Sequence, residues 1–218
     1  MKLYKNILKN RQDAAKKLND VIPMQKFKEE SWKIVAVSSG GLLLGSYIRG
    51  KHTNELNFLF SEAIVAPNNS ECEIARVSEN EDIIINEELV NSFEINHDYI
   101  YGEARRKHEE EILSCVYQYR KGRSFPFMSG EIVLLVDEGC ATGSRLMSAL
   151  KMILSQNPQA IYIAIPVVPK DVLDSLDVFA DKVFFLYEID DYVETELYYE
   201  ELEAIDDEMI EKLLEETK

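Results

Sequence analysis

The sequence predicts an α/β fold: a doubly wound, mainly parallel sheet flanked by helices, with a small hood or flap. Short, continuously apolar and β-branched runs at residues 34–37 and 132–136 are typical of strands that are buried on both faces. Helical patterns separate these runs along the chain, and such alternation favours a parallel sheet. Two of the runs end in polar, glycine-containing segments, where doubly wound sheets bind their ligands.

The individual elements follow from periodicity, capping residues and turn residues. Asn10 is a suitable N-cap for a helix that ends near residue 21, where Pro23 follows. Residues 74–77 and 82–85 are expected to pair as an antiparallel flap. The other predicted elements are strands at 34–37, 56–65, 132–136, 161–168 and 183–187, and helices at 42–48, 96–119, 144–155, 171–177 and 205–214.

The charge is unevenly distributed along the chain. Of 218 residues, 40 are acidic and 24 are basic, so the formal net charge is −16, and residues 188–218 carry −12 of it with 14 acids and two bases. A nucleic acid partner would be repelled, so we expect none. We predict a single domain over residues 1–218, with residues 188–218 as an acidic segment that either packs as a solvated helix or joins the hood.

The cysteine pattern and the hydropathy predict a cytoplasmic protein. Cys72, Cys115 and Cys140 are an odd number and lie far apart, which argues against a disulfide framework and against a zinc finger. The first residues lack the apolar stretch of a signal peptide, and no apolar run approaches the length of a membrane span. No membrane partner is therefore expected.

The segment with the clearest chemistry is IVLLVDEGCATGS, where Asp137 and Glu138 end an apolar strand. Gly139 and Gly143 allow a tight turn into the next helix, whose N-terminus favours an anion. Hydroxyls of the same loop add hydrogen-bond donors for a phosphate, and paired carboxylates accept from sugar hydroxyls. The segment therefore predicts a sugar-phosphate site, exposed at the strand end. Cys140 is either a nucleophile activated by the helix start or a small apolar filler.

Other phosphate and hydrolase motifs do not fit this chain. The P-loop pattern G-x-x-x-x-G-K-[ST] is absent, and no G-x-G-x-x-G follows a strand. Residues 139–143 have the spacing of a nucleophile elbow, but its centre is Ala141, which has no nucleophilic group.

VDEGCATGS resembles the ribose-phosphate loop of the type I phosphoribosyltransferases. From about residue 3 to residue 213, the chain also resembles an uncharacterised bacterial subgroup of these proteins, through NRQDAAKKL, AVSSGG, YRKGR and AIPVVP. The resemblance implies a glycosyltransferase of nucleotide metabolism. Such an enzyme moves ribose 5-phosphate from phosphoribosyl pyrophosphate to a nitrogenous base or similar small acceptor and releases pyrophosphate. Magnesium would be bound through the substrate, with no direct protein ligand assigned, and a homodimer is common in this fold.

The resemblance also implies residue roles. Asp137 and Glu138 would be the catalytic acids that hold the ribose hydroxyls, with magnesium nearby. The 5′-phosphate would be bound by Ala141, Thr142, Gly143, Ser144 and Arg145. The pyrophosphate loop would be Ser39, Gly40 and Gly41, and the acceptor hood would include Tyr198 and Tyr199.

Three departures from the subgroup favour binding over turnover. Glu138 stands where the loop usually has Asp, Ser39 stands where the subgroup has Arg, and Ser61-Glu62 stands where it has Arg-Lys. Arg76 and Lys51 are candidate replacements for the missing bases. Two other functions therefore remain open: a non-catalytic sensor or regulator that binds a nucleotide or sugar phosphate, and an interaction module that uses the acidic segment.

Overall fold

The computed structural model describes residues 5–215. The outermost residues of the predicted domain and of the acidic segment, 1–4 and 216–218, lie outside the described residues. The helices are α1 Arg11–Val21, α2 Met24–Glu29, α3 Ser39–Arg49, α4 Glu87–Ser92, α5 His97–Lys107, α6 Leu113–Arg120, α7 Ser144–Leu154, α8 Lys170–Leu176 and α9 Asp207–Glu215. The strands are β1 Lys33–Ala36, β2 Leu56–Phe58, β3 Ser61–Ala66, β4 Asn69–Ser78, β5 Ile83–Ile85, β6 Ile132–Val136, β7 Ala160–Pro169 and β8 Lys182–Ile189.

The main sheet has five parallel strands in the order β2-β1-β6-β7-β8. The predicted doubly wound α/β class is confirmed. Every residue of β6 is buried, because each face of the sheet is covered by its own apolar cluster. This double burial explains why the strand is a continuous apolar run rather than an alternating one.

A second sheet, here called the hood sheet, is antiparallel in the order β3-β4-β5. The predicted flap is confirmed, since Val77 pairs with Ile83 and Ala75 pairs with Ile85. The single strand predicted at residues 56–65 is wrong. It divides into β2 in the main sheet and β3 in the hood sheet, because the chain leaves the main sheet after three residues beside β1.

The long helix predicted at residues 96–119 is interrupted by a π-helical turn at His108–Ile112. Its buried apolar residues, Ile100, Ala104, Ile112 and Val116, are separated by multiples of four. An α-helix has about 3.6 residues per turn, so positions four apart drift around its surface. One wider turn brings them back toward the core, a feature that the apolar pattern alone does not reveal.

The acidic segment packs onto the body instead of extending from it. Tyr198 and Tyr199 are buried, and backbone hydrogen bonds join Leu8 to Tyr198 and Glu200. In α9 the buried residue is Ile210. Among residues 5–215, the helices are all too short or too polar to cross a membrane.

Candidate active site

The carboxyl ends of β1 and β6 lie side by side, so the two segments singled out by the sequence meet. Ser38 Oγ donates to Asp137 Oδ1 at 2.6 Å and accepts from the Gly41 amide at 2.9 Å, which caps α3. Asp137 also accepts from the Glu138 amide. The Asp137 side chain has no exposed surface, although the sequence predicts an exposed loop. Its Oδ2 has no hydrogen-bond partner, and Arg145 Nε lies 3.8 Å away.

Glu138 is held by two residues, Arg11 at its carboxylate and Tyr199 at its carbonyl oxygen. Arg11, at the start of α1, donates from Nε to Glu138 Oε2 at 2.5 Å and from Nη1 to the Glu203 carbonyl at 2.7 Å. Tyr199 OH donates to the Glu138 carbonyl oxygen at 2.7 Å. Burial raises the pKa of the Glu138 carboxyl, and the hydrogen bond from Arg11 opposes that rise. The carboxylate therefore already has a strong partner within the protein.

Ser39, Gly40 and Gly41, the predicted pyrophosphate loop, form the first turn of α3. A methyl group on Gly40 would lie 2.0 Å from the Glu138 carboxylate, and one on Gly41 would lie 2.4 Å from the Val136 carbonyl oxygen. Both glycines are buried, so their immediate physical role is close packing of α3 against the end of β6.

Residues 141–145, here called the phosphate loop, are different in character. Ala141 and Thr142 are exposed, and Gly143 has φ 71°, a left-handed conformation that favours glycine. This turn starts α7 at Ser144, so the free amides of the helix N-terminus face the loop. Thr142 Oγ donates to Ser144 Oγ at 3.1 Å. Arg145 retains 39% of its side-chain exposure, and Asp137 raises the pKa of its guanidinium.

Arg76, whose position the sequence left open, reaches the phosphate loop from β4. Its Nε donates to Ser144 Oγ at 3.2 Å, and its Nη1 donates to the Ser61 carbonyl and hydroxyl oxygens at 3.2 Å. Glu73 binds the same guanidinium with both carboxylate oxygens at 2.9 Å. The other candidate, Lys51, is exposed beyond the C-terminus of α3.

A cavity of about 340 Å³ opens between the main sheet and the hood sheet. Its polar lining comprises Ser38, Ser61, Glu62, Arg76, Tyr119 and Arg145. Two guanidinium groups thus face the space beside the phosphate loop. Glu62 faces it as well, and burial, followed by the charge of Glu111, raises the pKa of the Glu62 carboxyl.

Tyr198 and Tyr199, predicted as an acceptor hood, are both 3% exposed. The Tyr199 hydroxyl is bonded to Glu138, and the Tyr198 hydroxyl accepts from the Val193 amide. Neither residue lines the cavity, whose aromatic wall contains Phe58, Phe60 and Tyr119 instead. Stacking of a base on the two predicted tyrosines therefore has no support in their placement.

Cys140 is buried, and burial raises the pKa of its thiol. A protonated, inaccessible thiol is a poor nucleophile, so the apolar-filler interpretation fits and the nucleophile interpretation does not.

The two predicted catalytic acids do not fit a magnesium ion held by the protein. Asp137 has no exposed surface, and the Glu138 carboxylate is paired with Arg11. Within the described part of the chain, no group of three or more His, Cys, Asp or Glu side chains is arranged to hold a metal.

Sequence reasoning missed Arg11 and Tyr119. The sequence did contain one indication for Arg11. A cation in the first turn of a helix is unfavourable unless an acid lies near it, so its position suggests an acidic partner. Tyr119 had none, because its ring reaches the cavity wall by stacking on Phe60, a residue far from it in sequence.

Two curated proteins from different strains of Mycobacterium tuberculosis, each named "Putative phosphoribosyl transferase", are 23% identical to this chain over 189 residues. The match covers 85% of this chain but only 40% of each relative's length. The crystal structure of TT1426 from Thermus thermophilus has a TM-score of 0.76 at 23% identity, and covers 96% of this chain and 98% of that one. It has the same fold. No protein-family model matches the chain.

The names of these relatives agree with the family that the sequence resembles, and the observed parallel sheet agrees with its fold. The resemblance of this chain to the phosphoribosyltransferases is therefore confirmed.

Proposed function

We propose that the protein is a phosphoribosyltransferase, which takes ribose 5-phosphate from phosphoribosyl pyrophosphate and transfers it to a nitrogenous base or similar small acceptor. The proposal rests on two guanidinium groups that meet at the N-terminus of α7. Arg76 donates to Ser144, and both Arg76 and Arg145 line the cavity between the main sheet and the hood sheet. Helix amides, hydroxyls and guanidinium groups together suit a phosphate dianion.

In the proposed reaction the bond from ribose C1 to the pyrophosphate oxygen breaks and a bond from C1 to the acceptor nitrogen forms. The electron pair of the broken bond leaves with pyrophosphate, and the acceptor gives up a proton to solvent. The residues contribute mainly binding, orientation and positive charge, because no side chain needs to attack the sugar. Arg76, which bonds to Ser61 and is paired with Glu73, is the base that stands nearest to where the subgroup has Arg-Lys.

Magnesium remains a prediction of the family resemblance, and no step of this proposal depends on a protein-held ion. The acceptor cavity and the pyrophosphate loop at Ser39–Gly41 are likewise proposals. A ribose contact of Asp137 is also a proposal, and it requires the loop to move because the side chain has no exposed surface. The chain spans about two fifths of the length of its curated relatives, so activities of those whole proteins do not transfer to it.

Isothermal titration with phosphoribosyl pyrophosphate, with and without magnesium, tests binding. A second assay follows pyrophosphate release with a panel of purine, pyrimidine and amine acceptors. We expect saturable heat with the sugar phosphate and acceptor-dependent release of pyrophosphate. No heat at millimolar ligand, with folded protein, would contradict the proposal.

A second candidate function is non-catalytic binding of a nucleotide or sugar phosphate. It is favoured by Glu62 in the wall of the cavity, because this carboxyl group lies where a pyrophosphate leaving group needs positive charge. Saturable binding without pyrophosphate release across the whole panel would favour this function. Release with any acceptor would reject it.

A further inference from the structure

The Arg11–Glu138 pair lies beside the predicted active site without lining its cavity. The two residues are separated by 127 positions in sequence, their side chains are 9% and 19% exposed, and their closest atoms are 2.5 Å apart. The cavity between the main sheet and the hood sheet is lined by neither residue. The second acid of the loop therefore points toward α1 and not toward the proposed ligand.

The geometry explains why this acid is longer than the usual Asp. The Glu138 carboxylate occupies the space above Gly40, where an added methyl group would lie 2.0 Å away. The extra methylene lets the carboxylate extend over the glycine to meet Arg11. One steric and electrostatic unit is thus formed by Gly40, Glu138 and Arg11.

The same unit connects both ends of the described chain to the loop. Arg11 also binds the Glu203 carbonyl oxygen, and Tyr199 binds the Glu138 carbonyl oxygen. Hydrogen bonds from α1 and the C-terminal segment therefore converge on Glu138, three residues before the phosphate loop. Precise placement of a binding loop depends on such supporting contacts.

We infer that Arg11 is a positioning residue: it holds Glu138 over Gly40 and thereby sets the conformation of the phosphate loop, so that Glu138 serves the site by orientation and not by contact with the ribose. This inference rests on the proposed binding of a sugar phosphate, and it departs from the role that the family resemblance implies for Glu138. It also identifies why the departure from Asp to Glu is tolerated.

The first test compares Arg11→Gln with the matched control Arg105→Gln, which removes an exposed arginine paired with Glu109. Hydrogen exchange of the amides at 139–145 is measured well below the unfolding temperature of each variant. We expect faster exchange in these amides for Arg11→Gln only, with β6 still protected. Unchanged exchange in the loop would overturn the inference, and this readout needs no ligand.

The second test measures affinity for ribose 5-phosphate and for phosphoribosyl pyrophosphate. Arg11→Gln is expected to weaken both by about ten- to hundredfold, by analogy with the loss of residues that orient metal ligands. Arg11→Lys should recover part of the loss, whereas Arg105→Gln should bind as the parent does. If Arg11→Gln binds as tightly as the parent, or more tightly, Arg11 does not position the loop.

A double-variant cycle separates positioning from direct contact. If Glu138 acts only through Arg11, then Glu138→Gln, Arg11→Gln and the double variant should lose affinity by similar factors. Losses that multiply in the double variant would show that Glu138 contacts the sugar and would reject its assignment. Arg11→Lys, which keeps the charge but loses the guanidinium geometry, provides the same comparison with Glu138→Gln if Arg11→Gln fails to fold.

Failure of the proposed function can be distinguished from failure of the inference about Arg11. A parent protein that binds no sugar phosphate would reject the function, while loop exchange in Arg11→Gln would still decide whether Arg11 sets the loop conformation.

Discussion

Two glycine-containing segments lie next to each other at the same edge of the sheet, and they behave in opposite ways. The serine–glycine turn, residues 38–41, is almost entirely packed: Ser38 is bonded to Asp137, and Gly41 lies against the Val136 carbonyl. The phosphate loop, residues 141–145, leaves Ala141 and Thr142 exposed next to the cavity that Arg145 lines. A similar composition therefore supports close packing after β1 and an open anion site after β6.

Substitutions in the two segments should therefore affect different properties, folding after β1 and binding after β6. Changes after β1 break buried contacts and should lower the free energy of unfolding. Changes after β6 remove exposed donors and should lower ligand affinity with little loss of stability.

The largest effect is expected for Ser38→Ala. It removes the donor to the buried Asp137 carboxylate and the N-cap of α3, at a cost of about 2–4 kcal/mol in the free energy of unfolding. Denaturant unfolding measures this loss. Ser46→Ala is the control, because its hydroxyl bonds only to a carbonyl within α3 and its removal should change stability by less than about 0.5 kcal/mol. Equal stability of the two variants would show that the turn after β1 is not a packed element.

Gly41→Ala should come next, with a loss of about 1–3 kcal/mol from overpacking against a backbone oxygen that cannot move aside easily. Gly102→Ala is the matched control, because no atom lies within 4 Å of the added methyl group. As an exposed helical position, it should gain up to about 1 kcal/mol. Thermal unfolding of both variants checks the opposite signs. A stable Gly41→Ala would mean that this glycine serves ligand approach alone.

Thr142→Val tests the other segment. The lost donor should cost about 1–3 kcal/mol in affinity for phosphoribosyl pyrophosphate, with stability changed by less than about 0.5 kcal/mol. Titration calorimetry and thermal unfolding separate these quantities. Thr53→Val, an exposed threonine before β2 and thus at the opposite edge of the sheet, should change neither. A destabilised protein with unchanged affinity would contradict the assignment of the phosphate loop.

The smallest effect is expected for Glu62→Gln and depends on pH. Burial and Glu111 raise the pKa of Glu62 above its ordinary value in the folded protein. The ionised carboxylate therefore costs stability, and this cost appears as pH rises through the ordinary glutamate pKa and is complete above the raised one. Glu62→Gln should be more stable than the parent at neutral pH and equal to it in acid.

This difference is measured by comparing the denaturant midpoints of the parent and Glu62→Gln at neutral pH and again in acid. Glu71→Gln, an exposed position on the hood sheet, controls for the loss of one charge from an acidic chain. A parent as stable as Glu62→Gln at neutral pH would show that Lys107 and Arg76 fully compensate the buried acid.

Much of the architecture was predictable because buried strands and capped helices leave local patterns. The apolar run of β6 and the Asn10 cap of α1 lie where expected, and the cap accepts from the Asp13 amide. The division of residues 56–65 between two sheets was not predictable. A stretch of strand-forming residues looks the same whether it stays in one sheet or crosses to another, since only the partner strands differ.

The candidate site divides in the same way. Its chemistry is local: the amino-acid sequence alone determined an acid pair at the end of a buried strand, a glycine turn and a helix N-terminus with hydroxyls. Its long-range pairings are not local. Only the tertiary structure decided that Arg76 would reach Ser144, that Arg11 would bind Glu138, and that Asp137 would be buried behind Ser38. These contacts join residues 68 to 127 positions apart, and no periodicity or motif encodes a distance between segments that meet only when the sheet assembles.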